Sequence, residues 1–168
     1  LTAGIDLSVG SLVALSSVIT ALMVQKCFGG VAASPFAVFL ASLCGIVACG
    51  IVGLLTGLLV TTFGVAPFIV TLGMMMVARG LAEGFADEEI VRTPDNVLKT
   101  LMMRNPEPAW LIFSYGVWVN ITLLAGMVVL MRYSVFGRYI YALGANEQAT
   151  RYSGINVTVN RVLIFTIA

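Results

Sequence analysis

The sequence predicts an all-α protein, a polytopic transmembrane helix bundle, on two observations. First, 60% of the 168 residues are hydrophobic and only 10% are charged, whereas charged residues make up roughly 25% of an ordinary soluble domain. Second, the 52 residues 27–78 and the 24 residues 108–131 contain no charged side chain. Because a membrane helix needs about 20 apolar residues, the first interval can hold two spans and the second can hold one. We expect about four spans plus the start of another, in a single transmembrane domain (residues 1–168) truncated at both ends.

Local signals place the spans in order. Asp6 or Ser8 can cap the first, because a short polar side chain accepts hydrogen bonds from the free N–H groups of a helix start. Ser34 can cap the second, with Pro35 in the first turn, where its missing N–H costs nothing. The third reaches full length only if its helix continues past Arg79. We predict spans at residues 7–24, 35–60 and 109–131, and the start of another at 162–168. The third span either continues from Pro67 to about Phe85, with Arg79 extended to the interface, or is short, tilted or broken.

A ridge of small residues follows one face of the second predicted span. Its members recur at every fourth position: Ala37, Ala41, Gly45, Cys49, Gly53 and Gly57. Small residues at this spacing let a neighbouring helix approach closely, which is how helices associate in lipid. Two interpretations remain open: a tightly packed bundle, or an interface that slides or joins subunits. We predict a helix-packing role for Ala41, Gly45, Cys49, Gly53 and Gly57.

Composition excludes several classes of function. The chain has no histidine, which removes the catalytic triads and metal sites that depend on imidazole. Its net charge of +1 offers no basic surface for nucleic acid. A phosphate-binding GxxxxGK[ST] sequence is also missing, so we expect no cofactor on this chain. The three cysteines match no zinc or redox spacing.

The segment at residues 132–161 contains a compact helix signal. Asn146 is a cap residue, Glu147 stands at the positive end of the helix, residues 148–153 form its body and Gly154 follows it. So short a helix is marginal in water by itself. From these residues alone, a loop helix lying on its own bundle and a docking helix for a soluble partner are equally good interpretations.

Three stretches of the chain resemble one family in the same order along the sequence. They are GIDLSVGS at residues 4–11, PFIVTLG at residues 67–73, and GRYIYALG at residues 137–144, which is followed by Asn146-Glu147 and by SGINV at residues 153–157. Together they resemble the ribose-type (simple-sugar) permease subunits of bacterial ABC importers. The resemblance covers nearly all of the chain.

This resemblance implies an inner-membrane permease that transports sugar without bond chemistry and is therefore not an enzyme. It implies three partners: a second permease copy in a homodimer, an ABC ATPase that binds ATP and Mg²⁺, and a periplasmic sugar-binding protein. Residues 132–161 would be a cytoplasmic coupling loop and residues 83–107 a periplasmic loop. Gln148 departs from the family's Glu-Ala-Ala core, where alanine is usual. The implied ATPase-coupling residues are Asn146, Glu147, Gln148, Ala149, Arg151 and Gly154.

The sequence also offers candidates for the translocation pathway: Asp6, Ser8, Phe68, Thr71 and Gly73. Asp6 has two interpretations, a helix cap or a polar group beside the pathway, since ionisable residues in membrane segments are often functional. A packing role is at least as good an interpretation for the residues of the third span.

Two other functions fit the composition. A secondary transporter or channel that needs no ATPase would have the same apolar spans, although few charges lie in these spans for ion coupling. A membrane enzyme is a weaker alternative, because histidine is missing and paired carboxylates are scarce in the spans.

Overall fold

A computed structural model of the chain describes residues 6–28, 30, 34–87, 89, 91 and 114–167. Every regular element among these residues is helical, which confirms the all-α prediction. Four helices are long and apolar enough to cross a membrane, as predicted: Val9–Cys27, Pro35–Phe63, Pro67–Phe85 and Tyr115–Tyr133. Three shorter helices follow the fourth.

The second and third spans begin where the local sequence predicts. Helix α1 (Val9–Leu22) starts after Ser8 without the predicted side-chain cap, and it continues as a π-helical turn (Met23–Cys27). Helix α2 (Pro35–Phe63) starts at Ser34, whose hydroxyl accepts a hydrogen bond from the Ala37 N–H at 3.2 Å. It ends at Gly64, whose φ of +62° is unfavourable for residues with a Cβ. Helix α3 (Pro67–Phe85) begins with a proline in its first turn.

Arg79 does not interrupt α3, which continues to Phe85, so the full-length helix is the alternative that the structure shows. The guanidinium of Arg79 contacts the Glu83 carboxylate at 3.0 Å, one helical turn later on an exposed face. Glu83 therefore lies inside the helix, so the predicted periplasmic loop at 83–107 starts after Phe85 instead. Most of that loop lies outside the described residues.

Helices α1, α2 and α3 pack against one another. Cys49 Sγ of α2 lies 3.3 Å from the Leu12 carbonyl oxygen, and Ala41 accepts from Thr20 Oγ1 at 3.5 Å. Later residues of α1 thus contact earlier residues of α2, so the two helices are antiparallel. A buried cluster joins all three helices: Leu15, Val52, Met74, Ala78 and Ala82.

Helix α4 (Tyr115–Tyr133) is displaced by a few residues from the predicted fourth span. Residues 109–113 of that prediction lie outside the described residues. The helix continues through Arg132 and Tyr133, two residues past the predicted end at Met131. None of its side chains is buried, and it contacts only the next helix among the described elements.

The segment expected as a coupling loop is almost entirely helical. It contains α5 (Val135–Ala145), α6 (Glu147–Tyr152) and the start of α7 (Val157–Ile167). Its last predicted residue, Arg161, lies within α7 and not at a helix end. Gly137 permits the tight corner between α4 and α5, since a Cβ there would collide with the Met131 carbonyl oxygen.

Candidate functional site

Helix α6 is built by the side chains that the sequence singled out. The Asn146 Oδ1 accepts a hydrogen bond from the Ala149 N–H at 3.0 Å, so the predicted cap is present. The Thr150 hydroxyl donates to the Asn146 carbonyl oxygen at 2.8 Å. Six residues of α-helix span only about 9 Å, and such a helix is marginal without support. These capping bonds hold the first turn of α6 closed.

The link from α6 to α7 is short and shaped by two residues. Gly154 has a φ of +80°, the left-handed conformation expected just past a helix end. Asn156 then caps α7, because its Oδ1 accepts from the Val159 N–H at 3.1 Å. The side-chain amide of Asn160 donates to the Asn156 carbonyl oxygen at 2.8 Å. Both helices therefore start at asparagine caps on either side of a glycine turn.

An ion pair joins α6 to α7. The Glu147 carboxylate lies 2.6 Å from the Arg161 guanidinium, across 14 residues of sequence. The Glu147 side chain is 51% exposed and that of Arg161 is 30% exposed. Among the described residues it is the one ion pair between these helices. Its significance is positional, because ion pairs this exposed contribute little to stability.

The predicted ATPase-coupling residues form a single exposed segment. All six have exposed side chains or, for Gly154, an exposed backbone; they are Asn146, Glu147, Gln148, Ala149, Arg151 and Gly154. Thr150, by contrast, is only 5% exposed and faces the rest of the chain. One residue that sequence reasoning missed stands beside them: Tyr152 is 88% exposed at the end of α6. The clue in the sequence is an aromatic residue in the last turn of this short helix, two positions before Gly154.

A polar cleft of about 510 Å³ lies behind α6. It is bounded by the C-terminal end of α2, by α6 and by the start of α7. Its lining includes Thr61, Glu147, Arg151, Thr158 and Arg161. The end of α2 and the segment at 132–161 are therefore on the same side of the bundle.

The small-residue ridge of α2 is occupied along its length by other helices of the same chain. A Cβ on Gly45 would lie 2.7 Å from the Thr20 hydroxyl of α1. A Cβ on Gly57 would lie 2.9 Å from the Val162 Cα of α7. Ala41 is fully buried, and Cys49 contacts the α1 backbone. The first half of the ridge thus lies against α1 and the second half against α7.

The pathway candidates do not share one surface. The Asp6 carboxylate accepts two hydrogen bonds from Ser8, from its N–H at 2.8 Å and its hydroxyl at 2.6 Å. Ser8 is 1% exposed, and Thr71 is fully buried with its hydroxyl donating to the Phe68 carbonyl oxygen at 3.1 Å. Phe68 and Gly73 are exposed on α3. Their predicted pathway role stays a prediction.

Comparison with known proteins matches the chain from end to end. A family model described as "Branched-chain amino acid transport system / permease component" matches residues 1–168. The fructose import permease protein of Rhizobium meliloti is 32% identical, over 100% of this chain and 46% of its own length. The ribose import permease protein of Bacillus subtilis is 36% identical, over 100% of this chain and 49% of its own length. The galactose/methyl galactoside import permease protein of Escherichia coli K12 is 30% identical, over 99% of this chain and 52% of its own length.

The chain therefore spans about half the length of the curated relatives that it matches. These relatives confirm the resemblance to ribose-type import permeases that the three motifs predicted. No solved protein structure gave a significant match.

Proposed function

This chain belongs to the permease-component family of the branched-chain amino acid transport systems, and we propose that it is part of the membrane subunit of an ATP-driven importer of simple sugars. Together, its family and its four apolar helices identify a multi-pass protein of the bacterial inner membrane. It is a transport permease and not an enzyme. The names of its relatives, which import ribose, fructose and galactose, support a monosaccharide as the substrate.

The observation that carries the ATP-driven assignment is the exposed helix α6. A six-residue helix whose cap, body and following glycine are nearly all exposed offers a docking edge instead of a core. In the proposed importer this edge contacts the ATPase, on the cytoplasmic side of the membrane. Residues 132–161 then form the cytoplasmic coupling region, and residues 83–107 lie on the periplasmic side.

The proposed mechanism is mechanical. The partner ATPase binds ATP with Mg²⁺ and hydrolyses it, and its closure moves α6. Helix α6 continues through Gly154 into α7, and α7 lies directly on the glycine half of the α2 ridge. Because α7 contacts α2 directly, a small shift of α7 also displaces this transmembrane helix. Helix bundles with two stable arrangements amplify such shifts into inward-open and outward-open states.

The remaining parts of the importer complete the proposal. A second permease copy pairs with this one, and a periplasmic sugar-binding protein delivers the substrate. We place the pathway beside the starts of α1 and α3, which carry the candidates on more than one surface: Asp6, Ser8, Phe68, Thr71 and Gly73. Nothing in the comparisons favours the alternative of a secondary transporter or channel.

Affinity purification tests the proposal. The whole native protein is tagged, extracted in detergent from its own membrane and analysed for partners by mass spectrometry. The ATPase activity of the eluate is then measured with and without ribose, fructose and galactose. We expect the eluate to contain an ABC ATPase and a periplasmic binding protein and to show sugar-stimulated ATP hydrolysis. The eluate from cells with the untagged protein should show none of these. A homo-oligomer without an ATPase would overturn the proposal in favour of a secondary transporter or channel.

A further inference from the structure

The Glu147 carboxylate is directed towards α7. If Glu147 served only to contact an ATPase, its carboxylate would be expected to project outward from α6. Instead, Glu147 Oε2 accepts a hydrogen bond from the Arg161 guanidinium of α7 at 2.6 Å. The acidic group is thus directed back to the first half of a helix that follows α6 in the chain.

Little else fixes the orientation of α6 relative to α7. Of the six side chains in α6, only that of Thr150 is buried. The turn between the helices contains Gly154 at φ +80°, a residue type that tolerates many backbone conformations. The Glu147–Arg161 pair closes this turn from the other side, because it connects the first residue of α6 to the fifth residue of α7.

Helix α7 has no comparable freedom against the membrane helices. Its backbone at Val162 and Phe165 meets Gly57 and Gly53 of α2 so closely that neither glycine has room for a methyl group. Arg161 is adjacent to Val162, so the residue that holds Glu147 precedes the contact with α2 directly. A force on α6 that passes through Arg161 is therefore delivered at the glycine contact and is not dissipated in the turn.

We infer that Arg161 is a positioning residue for coupling: its ion pair with Glu147 makes α6 and α7 move as one unit against the α2 ridge. The inference rests on the proposed function. It assigns the role of Glu147 to a bond within this chain, whereas direct docking would assign it to a contact with the ATPase. The two assignments differ in what a charge exchange does.

The experiment exchanges the charges in the complete importer, reconstituted with its ATPase and binding protein in proteoliposomes. Sugar uptake, ATP hydrolysis and ATPase association are measured for Glu147→Arg, Arg161→Glu and the double exchange. We expect each single variant to keep its ATPase but to transport about fivefold less sugar per ATP, the largest change that an ion pair this exposed can account for. The double exchange restores the ratio, because the ion pair reforms with reversed charges.

A matched control uses the other arginine of the same cleft. Arg151 lines the cleft with Glu147 and Arg161 but has no ion-pair partner among the described residues. Combining Glu147→Arg with Arg151→Glu should therefore not restore coupling. Arg161→Lys and Arg161→Gln give a milder comparison for the case in which a reversed charge prevents folding. The lysine variant should retain more coupling than the glutamine variant.

The outcomes distinguish a failure of the role inferred for Arg161 from a failure of the proposed function. Single variants that couple normally, a double exchange no better than the worse single variant, or equal coupling in the lysine and glutamine variants would each overturn the inference. In these cases an ATPase still co-purifies and the proposed function stands. If the unaltered protein retains no ATPase at all, the proposed function fails, and the inference fails with it.

Discussion

Gly53 of α2 and Phe165 of α7 meet backbone to backbone. A methyl group on Gly53 would collide with the Phe165 carbonyl oxygen, and one on Gly57 would collide with Val162. In lipid, where hydrophobic burial does not drive helices together, such close backbone approach supplies the dispersion contacts that hold them. The α2–α7 contact is thus the point at which the proposed coupling region, residues 132–161, meets the membrane-spanning helices.

Gly53→Ala is expected to damage this contact. Helix α7 must shift to make room, and overpacking of this kind costs about 1–3 kcal/mol. The thermal unfolding temperature in detergent and the sugar uptake should both fall. Gly50→Ala on the same helix is the control, since a Cβ there meets nothing within 4 Å and alanine favours the helix. Equal stability and uptake in the two variants would show that α7 does not lie on Gly53.

Asn146→Ala is expected to fray α6. The variant loses the hydrogen bond from the Ala149 N–H, and loss of an asparagine cap costs about 1 kcal/mol, which a six-residue helix cannot spare. Hydrogen–deuterium exchange at residues 147–152 should accelerate. Asn146→Asp keeps an acceptor oxygen at the same position and should preserve protection. Unchanged exchange in the alanine variant would mean that contacts outside the described residues support α6.

Tyr152→Ala is expected to weaken association with the ATPase. Exposed tyrosines are frequent anchors of protein interfaces, and truncating an anchor costs about 2 kcal/mol or more, roughly thirtyfold in affinity. Titration of the isolated ATPase onto nanodisc-embedded protein measures the change. Phe36→Ala is the matched control, because Phe36 is 71% exposed but lies at the start of α2, the opposite end from Thr61 in the cleft behind α6. Equal losses in both variants would contradict a specific role for Tyr152.

The sequence predicted what local chemistry determines. The cap at Asn146, the turn at Gly154 and the start of α2 at Ser34 each depend on residues a few positions apart, and all three are present. The spans followed from hydrophobicity, since a charge-free run of sufficient length has few other structures available in a membrane. Arg79 was compatible with a continuous helix because Glu83 lies one turn away.

Tertiary contacts were beyond the reach of the same reasoning. Helix α5 was missed because its buried stripe is short and begins with a glycine: Gly137, Ile140 and Leu143. The sequence could not identify which helices pack on the α2 ridge, because a stripe of small residues indicates that a helix approaches closely but not which helix it is. Arg161 was interpreted as the end of a loop, because nothing local reveals that Glu147, 14 residues earlier, pairs with it.

Asp6 offers a test of charge against geometry. Its carboxylate accepts from both the N–H and the hydroxyl of the buried Ser8, the residue just before α1. This local turn needs an acceptor oxygen rather than a negative charge. Asp6→Asn keeps such an oxygen, so we expect near-normal sugar uptake, whereas Asp6→Ala should lower both stability and uptake. Uptake by the reconstituted importer and thermal unfolding in detergent measure the two effects. If Asp6→Asn is stable but does not transport, the charge itself is required, and Asp6 belongs to the translocation pathway.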